Sequence, residues 1–559
     1  MKKEDKNELL FLPLGGCNEI GMNLNAYAYG SRHNRRWIIV DMGVSFGDER
    51  TPGIDVICPD PSFLEDEVDN IEAIILTHAH EDHIGAVGHL WKRFRKPLYA
   101  TPFTAELVKG KLAECNISDD DYQLHTVPVG GKVEVGPFSI EYVTLTHSIP
   151  EPNGLSITCP LGTILHTGDW KIDPDPLIGA PFDSESLERL GDDGVLAMIC
   201  DSTNVFEEGE SGSEYGCKVA LTELIGEQSG RVAVTAFASN VARVQSIIEA
   251  AEANDRHVCL VGRSMHKITS AAKAVGLLDH VAPFVDEKDA AFLPPENVLY
   301  LCTGSQGEPR AALSRIAQNN HPHVTLNEGD SVIFSSRVIP GNERGIYDLQ
   351  NALAERGIRI ITDRMRPIHV SGHPCRDELR RMYQWVRPKI SVPVHGERRH
   401  ILEHAAYAKS LQISQSVTPR NGDVIRLAPG DAAIVDEVPT GRLLLDGKRL
   451  IPENAQGIIE RRRLSYVGQL SVSVAFDEDG SVSDGPLITI RGHSETDGRL
   501  LDETIDIFEE AAENALDDLK RKSRLDDSQV ERSLVRALRK ICEKELGKRP
   551  VIDVAVLRP

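Results

Sequence analysis

The chain has 559 residues, 41% of them apolar, enough to bury sizeable cores and to form roughly three domains at about 150–200 residues each. Its formal net charge of −23 weighs against a broad basic surface of the kind that binds polyanions without selectivity, so a nucleic-acid substrate would need a local basic groove and metals. There is no run of about 18 apolar residues, so no membrane span is expected. The charged start leads into no signal-type segment, so a cytoplasmic location is expected. The ten cysteines, at 17, 58, 115, 159, 200, 217, 259, 302, 375 and 542, form no C-x-x-C pair. That fits a reducing compartment and leaves His and Asp as the candidate metal ligands.

Residues 8–30 read as short strands joined by a glycine-rich turn, Leu14 to Gly21, which suits a tight hairpin more than a phosphate cradle. Residues 37–40 form a buried strand ending at Asp41, which can orient a ligand imidazole from behind or cap a turn. The apolar run 74–76 ends a strand and residues 84–91 begin a helix, so His78, His80, Asp82 and His83 crowd the turn between them. An extended backbone points His78 and His80 to one side. Asp82 and His83 come a turn later and can face a second ion. A catalytic metal needs at least three protein ligands, so others must come from elsewhere. His147 and Asp169 each end a strand. As ends of one βα series they can converge on the same sheet edge, where open α/β sheets bind ligands. His166, inside its strand, reads as a core or supporting histidine.

Residues 196–204 are an apolar strand running into Asp201. Regular alternation follows, with strands at 232–237, 257–261, 298–302 and 332–336 and helices at 241–254, 311–318 and 343–355. This is a nucleotide-binding-like layout inserted into the first domain. Its strand-end loops, 237–240, 262–264, 302–308 and 336–341, carry hydroxyls, amides and arginines that suit phosphate oxygens or ordinary capping. His369-Val370-Ser371-Gly372-His373-Pro374 then precedes a helix at 376–386, and a strand ending at His395 precedes a helix at 398–411. Past residue 440 a connector with a short strand leads to strands at 462–476, 487–491 and 551–556 and helices at 502–521 and 529–546. The basic clusters 461–463 and 520–522 read as solvated faces more than as RNA contacts.

His-x-His-x-Asp-His followed by His147 and Asp169, with Asp41 upstream, resembles the metallo-β-lactamase superfamily. The interruption by an α/β insertion, then Ser-Gly-His and Pro-Val-His-Gly-Glu, resembles its β-CASP nucleases. His-Ser-Ile-Pro, Cys-Asp-Ser-Thr-Asn, Thr-Gly-Ser-Gln-Gly-Glu and His-Val-Ser-Gly-His together resemble the bacterial ribonuclease J family, from about residue 8 to the end. The resemblance implies an α/β fold: an αββα metallo-β-lactamase sandwich (1–215 and 361–440) with an inserted β-CASP domain (216–360), a linker (441–454) and a small C-terminal α/β domain (455–559). It implies two divalent ions, zinc by ligand type with manganese or magnesium as alternatives. His78, His80 and His147 would hold one, Asp82, His83 and His395 the other, with Asp169 bridging and Asp41 behind. Asp82, Asp201 and His373 are the catalytic candidates, with His373 as general acid.

The implied activity is metal-assisted hydrolysis of single-stranded RNA, 5′→3′ from monophosphate ends and also internally, in RNA maturation and mRNA decay. Ser239, Asn240, Ser371, Gly372 and His373 are the expected pocket for the terminal phosphate. The resemblance also implies homodimers or homotetramers through the C-terminal domain, and possible RNA-decay partner proteins. Three other classes compete. A small-molecule metallo-hydrolase would not need the insertion. A DNA-processing relative tends to carry an apolar residue where His395 stands. A scaffold without metals would not need the intact ligand set.

Overall fold

The computed structural model describes residues 6–339, 341–492 and 501–558; the first five residues, and Pro340 of one strand-end loop, lie outside the described residues. The chain forms two compact units, Met1–Ser45 with Ile57–Arg442, and Phe46–Val56 with Leu443–Pro559.

The larger unit contains two facing sheets. The first orders its strands Ala433–Glu437, Asp423–Ala428, Glu8–Gly15, Leu24–Gly30, Arg36–Val40, Ile71–Ile75, Leu98–Ala100 and Leu124–Thr126. The second runs Gln415–Ser416, Ile390–Val394, Val195–Asp201, Gly162–His166, Asn153–Cys159, Phe138–Thr144 and Lys132–Val135. Side chains alternate across each strand, and that alternation builds the layers. In Val195–Asp201, Ala197 and Ile199 join Tyr27, Ile38, Val40 and Ile75 in the core between the sheets. Met198 and Cys200 face the other way, onto Leu187, Leu190, Leu379 and Met382 of the helices Ser184–Asp193 and Arg376–Val386.

Two expectations change here. His147 and Asp169 do not end strands of a βα series beside the His78–His83 turn; they come from the opposite sheet. The connections 145–152 and 160–161 are too short for a crossover helix, so Phe138–Thr144, Asn153–Cys159 and Gly162–His166 pair antiparallel. The first and third of these still run the same way, so both residues reach one rim. The glycine-rich segment is also no tight turn. Glu8–Gly15 and Leu24–Gly30 do pair antiparallel, but the loop between them spans 16–23.

The insertion is a five-stranded parallel sheet in the order His257–Val261, Val298–Cys302, Val232–Thr235, Ser331–Phe334, Arg359–Thr362. Its three central strands are buried on both faces because helices cover both. Leu221, Leu224, Val244 and Ile247 of Glu214–Gly226 and Val241–Glu252 cover one face. Leu313, Ile316, Leu349 and Leu353 of Ala312–Ala317 and Glu343–Glu355 cover the other.

In the smaller unit, Gln469–Phe476 lies between Val482–Arg491, antiparallel, and Val551–Leu557, parallel. Leu470, Val472, Val474 and Phe476 turn inward onto Phe508, Leu534 and Leu538 of the helices Leu501–Asp517 and Asp527–Leu546. The strand expected at 462–476 is shorter than that. Gln456–Val467 is a helix that stops at Gly468, whose φ of 68° no other residue type adopts as easily.

Two units with separate cores should unfold in two calorimetric transitions. Phe508→Ala opens a cavity in the smaller one and should destabilise that transition by about 3–5 kcal/mol, leaving the other in place.

Candidate metal centre and nuclease site

Six strands of the two sheets point their carboxyl ends at one rim. Asp41 follows Arg36–Val40, the His78–His83 turn follows Ile71–Ile75, and His147 follows Phe138–Thr144. Asp169 follows Gly162–His166, Asp201 closes its own strand, and His395 follows Ile390–Val394. Residues 317 positions apart, from His78 to His395, thus meet at one place.

Two donor sets form there, His78 with His80 and His147, and Asp82 with His83 and His395; Asp169 belongs to both. Its Oδ2 lies 3.2 Å from His83 Nε2 and 3.6 Å from His395 Nε2. On the other side it lies 3.9 Å from His78 Nε2 and 3.8 Å from His147 Nε2. Among the described residues, every cluster of this kind includes Asp169.

Hydrogen bonds behind the rings fix which nitrogens face inward. Thr77 Oγ1 donates to Asp41 Oδ2 at 2.8 Å, so His78 Nδ1–H, 3.0 Å away, donates to Thr77 Oγ1. His83 Nδ1–H donates to Asp41 Oδ2 at 2.7 Å, and His147 Nδ1–H donates to the Gly372 carbonyl. His395 Nδ1–H donates to Asn23 Oδ1 at 3.1 Å. Each ring thus turns its Nε2 inward, and in neutral His78 and His147 that nitrogen carries no proton. The Nε2 atoms of His78 and His147 lie 3.2 and 3.0 Å from His80 Nδ1. Three nitrogens at that spacing have at most one proton among them. His395 Nε2 and Asp169 Oδ1 are buried with no hydrogen-bond partner. Such a set fits cations: lone pairs and a carboxylate converge, and the atoms left orphaned are the ones a cation would satisfy.

The electrostatics agree for the first set, and in the second they place a compensating proton on His83. Burial holds His78 and His147 well below the usual imidazole range and His80 at about 4, so they stay in the neutral form that ligates metal. Burial opposes a charge on His83, but Asp169, Asp82 and Asp41 hold its pKa well above the usual range. Asp169 is kept strongly acidic despite its burial by His395 and His83. His373 stands beside the two sets, its Nδ1 2.7 Å from Asp201 Oδ2 and 4.0 Å from Asp169 Oδ2. Burial lowers its pKa, but Asp201, then Asp169 and Asp82, outweigh that and raise it to about 9. Asp201 is itself fixed through Oδ1, which accepts from Thr203 N and Oγ1 at 2.8 and 2.7 Å.

The backbone around the site is strained and tightly packed. Asp41 and His395 sit at φ 64° and 51°, the left-handed region that costs most residues about 1–3 kcal/mol. A Cβ on Gly43 would lie 1.6 Å from the Asp82 carbonyl oxygen, and one on Gly372 would lie 2.7 Å from His147 Cε1.

Of the residues expected at a terminal-phosphate pocket, Ser371, Gly372 and His373 share one loop at the rim. Ser371 Oγ accepts from His373 N at 3.2 Å and from Asn204 Nδ2 at 2.7 Å. Asn240 is buried. Its side chain caps the helix Val241–Glu252 and donates to Glu214 Oε1 at 3.0 Å. Ser239 precedes it, half-buried. His166, the supporting histidine, lies 2.8 Å from the Tyr27 hydroxyl.

Asn23 belongs to none of the sequence motifs, yet it reaches the site. Its Nδ2 donates to the Asp82 carbonyl at 3.1 Å and lies 3.1 Å from His83 Nε2, so it ties the first sheet's loop to the second donor set. The crowded glycines of 15–21 were the available signal that this loop makes a close approach. Asn204 likewise had no expected role, although it closes the Cys-Asp-Ser-Thr-Asn motif.

Four family models match the chain: the metallo-beta-lactamase superfamily over residues 21–190, the ribonuclease J beta-CASP domain over 229–353, the Zn-dependent metallo-hydrolase RNA specificity domain over 357–417, and the ribonuclease J C-terminal domain over 457–558. Ribonuclease J of Sinorhizobium meliloti is 44% identical, covering 99% of this chain and 97% of its own. Ribonuclease J of Corynebacterium glutamicum is 36% identical over 99% of this chain and 76% of its own, and that of Thermus thermophilus 34% over 98% and 94%. A crystal structure of a protein of unknown function from Enterococcus faecalis V583 shares the fold. It has a TM-score of 0.52 at 16% identity, covering 75% of this chain and all of that one. With four domain models in order and relatives matched from end to end, this chain belongs to the ribonuclease J family.

Proposed function

We propose that the chain is a metal-dependent hydrolytic ribonuclease acting on single-stranded RNA, 5′→3′ from monophosphorylated ends and also internally, in RNA maturation and mRNA decay. The observation that carries this is one buried carboxylate, Asp169, shared by two inward-facing donor sets beside the His373–Asp201 pair, in a chain of this family. His78, His80 and His147 would hold one divalent ion, and Asp82, His83 and His395 the other, with Asp169 common to both. Zinc suits the donors; manganese and magnesium are the alternatives. When bound, such a pair supplies Lewis acidity and lowers the pKa of a water toward about 7.

The chain's own residues do the rest. Asp41 and Asn23 orient the imidazoles, and Asp82 closes the second set at the solvent side. His373 is pinned through Nδ1, so Nε2 is free to protonate the leaving ribose oxygen. Because water attacks rather than the 2′-hydroxyl, the products carry 5′-monophosphate and 3′-hydroxyl ends. Ser239, Ser371, Gly372 and His373 would receive a terminal monophosphate, with Asn240 fixing the helix terminus behind them. A triphosphate is larger and more charged, and the pocket would reject it. Self-association into dimers or tetramers through the C-terminal domain, contacts with RNA-decay proteins and a cytoplasmic location belong to the same proposal; no helix among the described residues is long and apolar enough to cross a membrane.

Four outcomes test this. His80→Ala should leave less than about 0.1% of the cleavage rate with unchanged circular dichroism and a lower bound-metal content; full cleavage would refute the assigned centre. His373→Gln should slow cleavage by about 10²–10⁴. His373 donates only when protonated, so the rate falls as pH rises through its pKa. Asp201 raises that pKa, so Asp201→Asn should move the alkaline limb to lower pH by roughly one to three units. Finally, RNA labelled at a 5′-monophosphate should be degraded faster than the same RNA with a 5′-triphosphate, and a chelator should stop both; equal rates on the two would remove the pocket.

A further inference from the structure

Arg243 is fully buried in the first turn of the helix Val241–Glu252, and every N–H of its guanidinium is engaged. Nε and Nη2 donate to Glu214 Oε2 and Oε1 at 2.9 and 3.0 Å, and Nη2 also reaches Cys217 Sγ at 3.4 Å. Nη1 donates to the Ile368 carbonyl at 2.8 Å and to Ser335 Oγ at 2.9 Å. Ser335 Oγ in turn donates to the same Ile368 carbonyl at 2.7 Å. Ile368 opens the segment that ends in Ser371-Gly372-His373.

The network continues toward the metal centre. The Glu214 backbone N–H donates to Asp173 Oδ2 at 2.9 Å, and that oxygen also pairs with Lys171 Nζ at 2.9 Å. Lys171 N donates to the Thr146 carbonyl at 2.7 Å, one residue before His147 and two after Asp169. Lys171, Asp173, Glu214 and Arg243 are each no more than 2% exposed. Two cations and two anions hidden together make a neutral set. It spans the insertion, the Asp169 loop and the His373 loop without touching a reacting atom.

We infer that Arg243 is a positioning residue for the cleavage reaction: by gripping the Ile368 carbonyl from the insertion it sets the placement of His373. A fully engaged guanidinium fork specifies direction as well as charge, and a shift of about 1 Å at a proton donor can cost roughly a hundredfold in rate. The inference rests on the proposed role of His373 as proton donor.

The test is cleavage of a 5′-monophosphorylated single-stranded RNA by the full-length chain saturated with Mn²⁺, read as kcat and KM, with thermal unfolding as the check on folding. Arg243→Met should lower kcat by about 10- to 100-fold with KM within about threefold, and Arg243→Lys should recover part of the loss. In a His373→Gln background the same Arg243→Met change should cost less than about threefold, because the group it positions is gone. If Arg243→Met does not fold, Ser335→Ala removes one of the two donors to the Ile368 carbonyl. It should show the same pattern at about three- to tenfold. The inference is overturned if Arg243→Met or Ser335→Ala costs the same factor with and without His373, or if the folded variants cut at the wild-type rate. If His373→Gln alone cuts at the wild-type rate, it is the assignment of the proton donor that fails.

Discussion

The Asp169 carboxylate faces imidazole nitrogens of both donor sets at 3.2–3.9 Å, and a buried anion holds such a place only while positive charge surrounds it. The effective desolvation penalty for one ion is several kcal/mol, more than a single hydrogen bond at about 0.5–1.5 kcal/mol returns. The surrounding architecture therefore follows from keeping that carboxylate compensated. Six strands stop at one rim, Asp41 and His395 accept left-handed backbone, and Gly43 gives up its side chain so that the Asp82 carbonyl can come close. Asp41 serves twice, holding His83 directly and His78 through Thr77.

Much of this was legible in the order of residues. The strands His257–Val261 and Val298–Cys302 and the helices Glu343–Glu355 and Arg376–Val386 stand where apolar periodicity put them, because a fully buried strand or a one-sided helix leaves an unambiguous pattern. The residues of the two donor sets were legible as a combination: one histidine at a strand end is ordinary, but His78, His80, Asp82 and His83 in one turn make the later strand-end His147, Asp169 and His395 informative. The family resemblance then supplied the grouping that spacing alone left open.

What stayed hidden depends on long-range pairing. The sheet that holds Asp169 could not be told from the strand itself, because parallel and antiparallel neighbours bury the same faces; only the short connections 145–152 and 160–161 distinguish them. The helix Arg263–Ala274 was missed because its sequence, Arg-Ser-Met-His-Lys-Ile-Thr-Ser-Ala-Ala-Lys-Ala, buries few apolar residues. Residues 462–467, the end of the helix Gln456–Val467, read as strand because the break at Gly468 is a matter of φ, which composition does not encode. Asn23 and Arg243 were invisible for the same reason that makes them important. Their partners lie at Asp82 and His395 in one case and at Glu214 and Ile368 in the other, and no local pattern links such positions.

The strands Val195–Asp201 and Ile390–Val394 are hydrogen-bonded neighbours, yet the whole insertion lies between them in the chain, and Glu8–Gly15 pairs with Asp423–Ala428. A ribosome making this protein therefore releases most of it before either sheet can close. Until His395 emerges, the second donor set lacks a ligand and the rim lacks its last strand. With His395 followed by 164 of the 559 residues, the rim is assembled late but well before the chain ends.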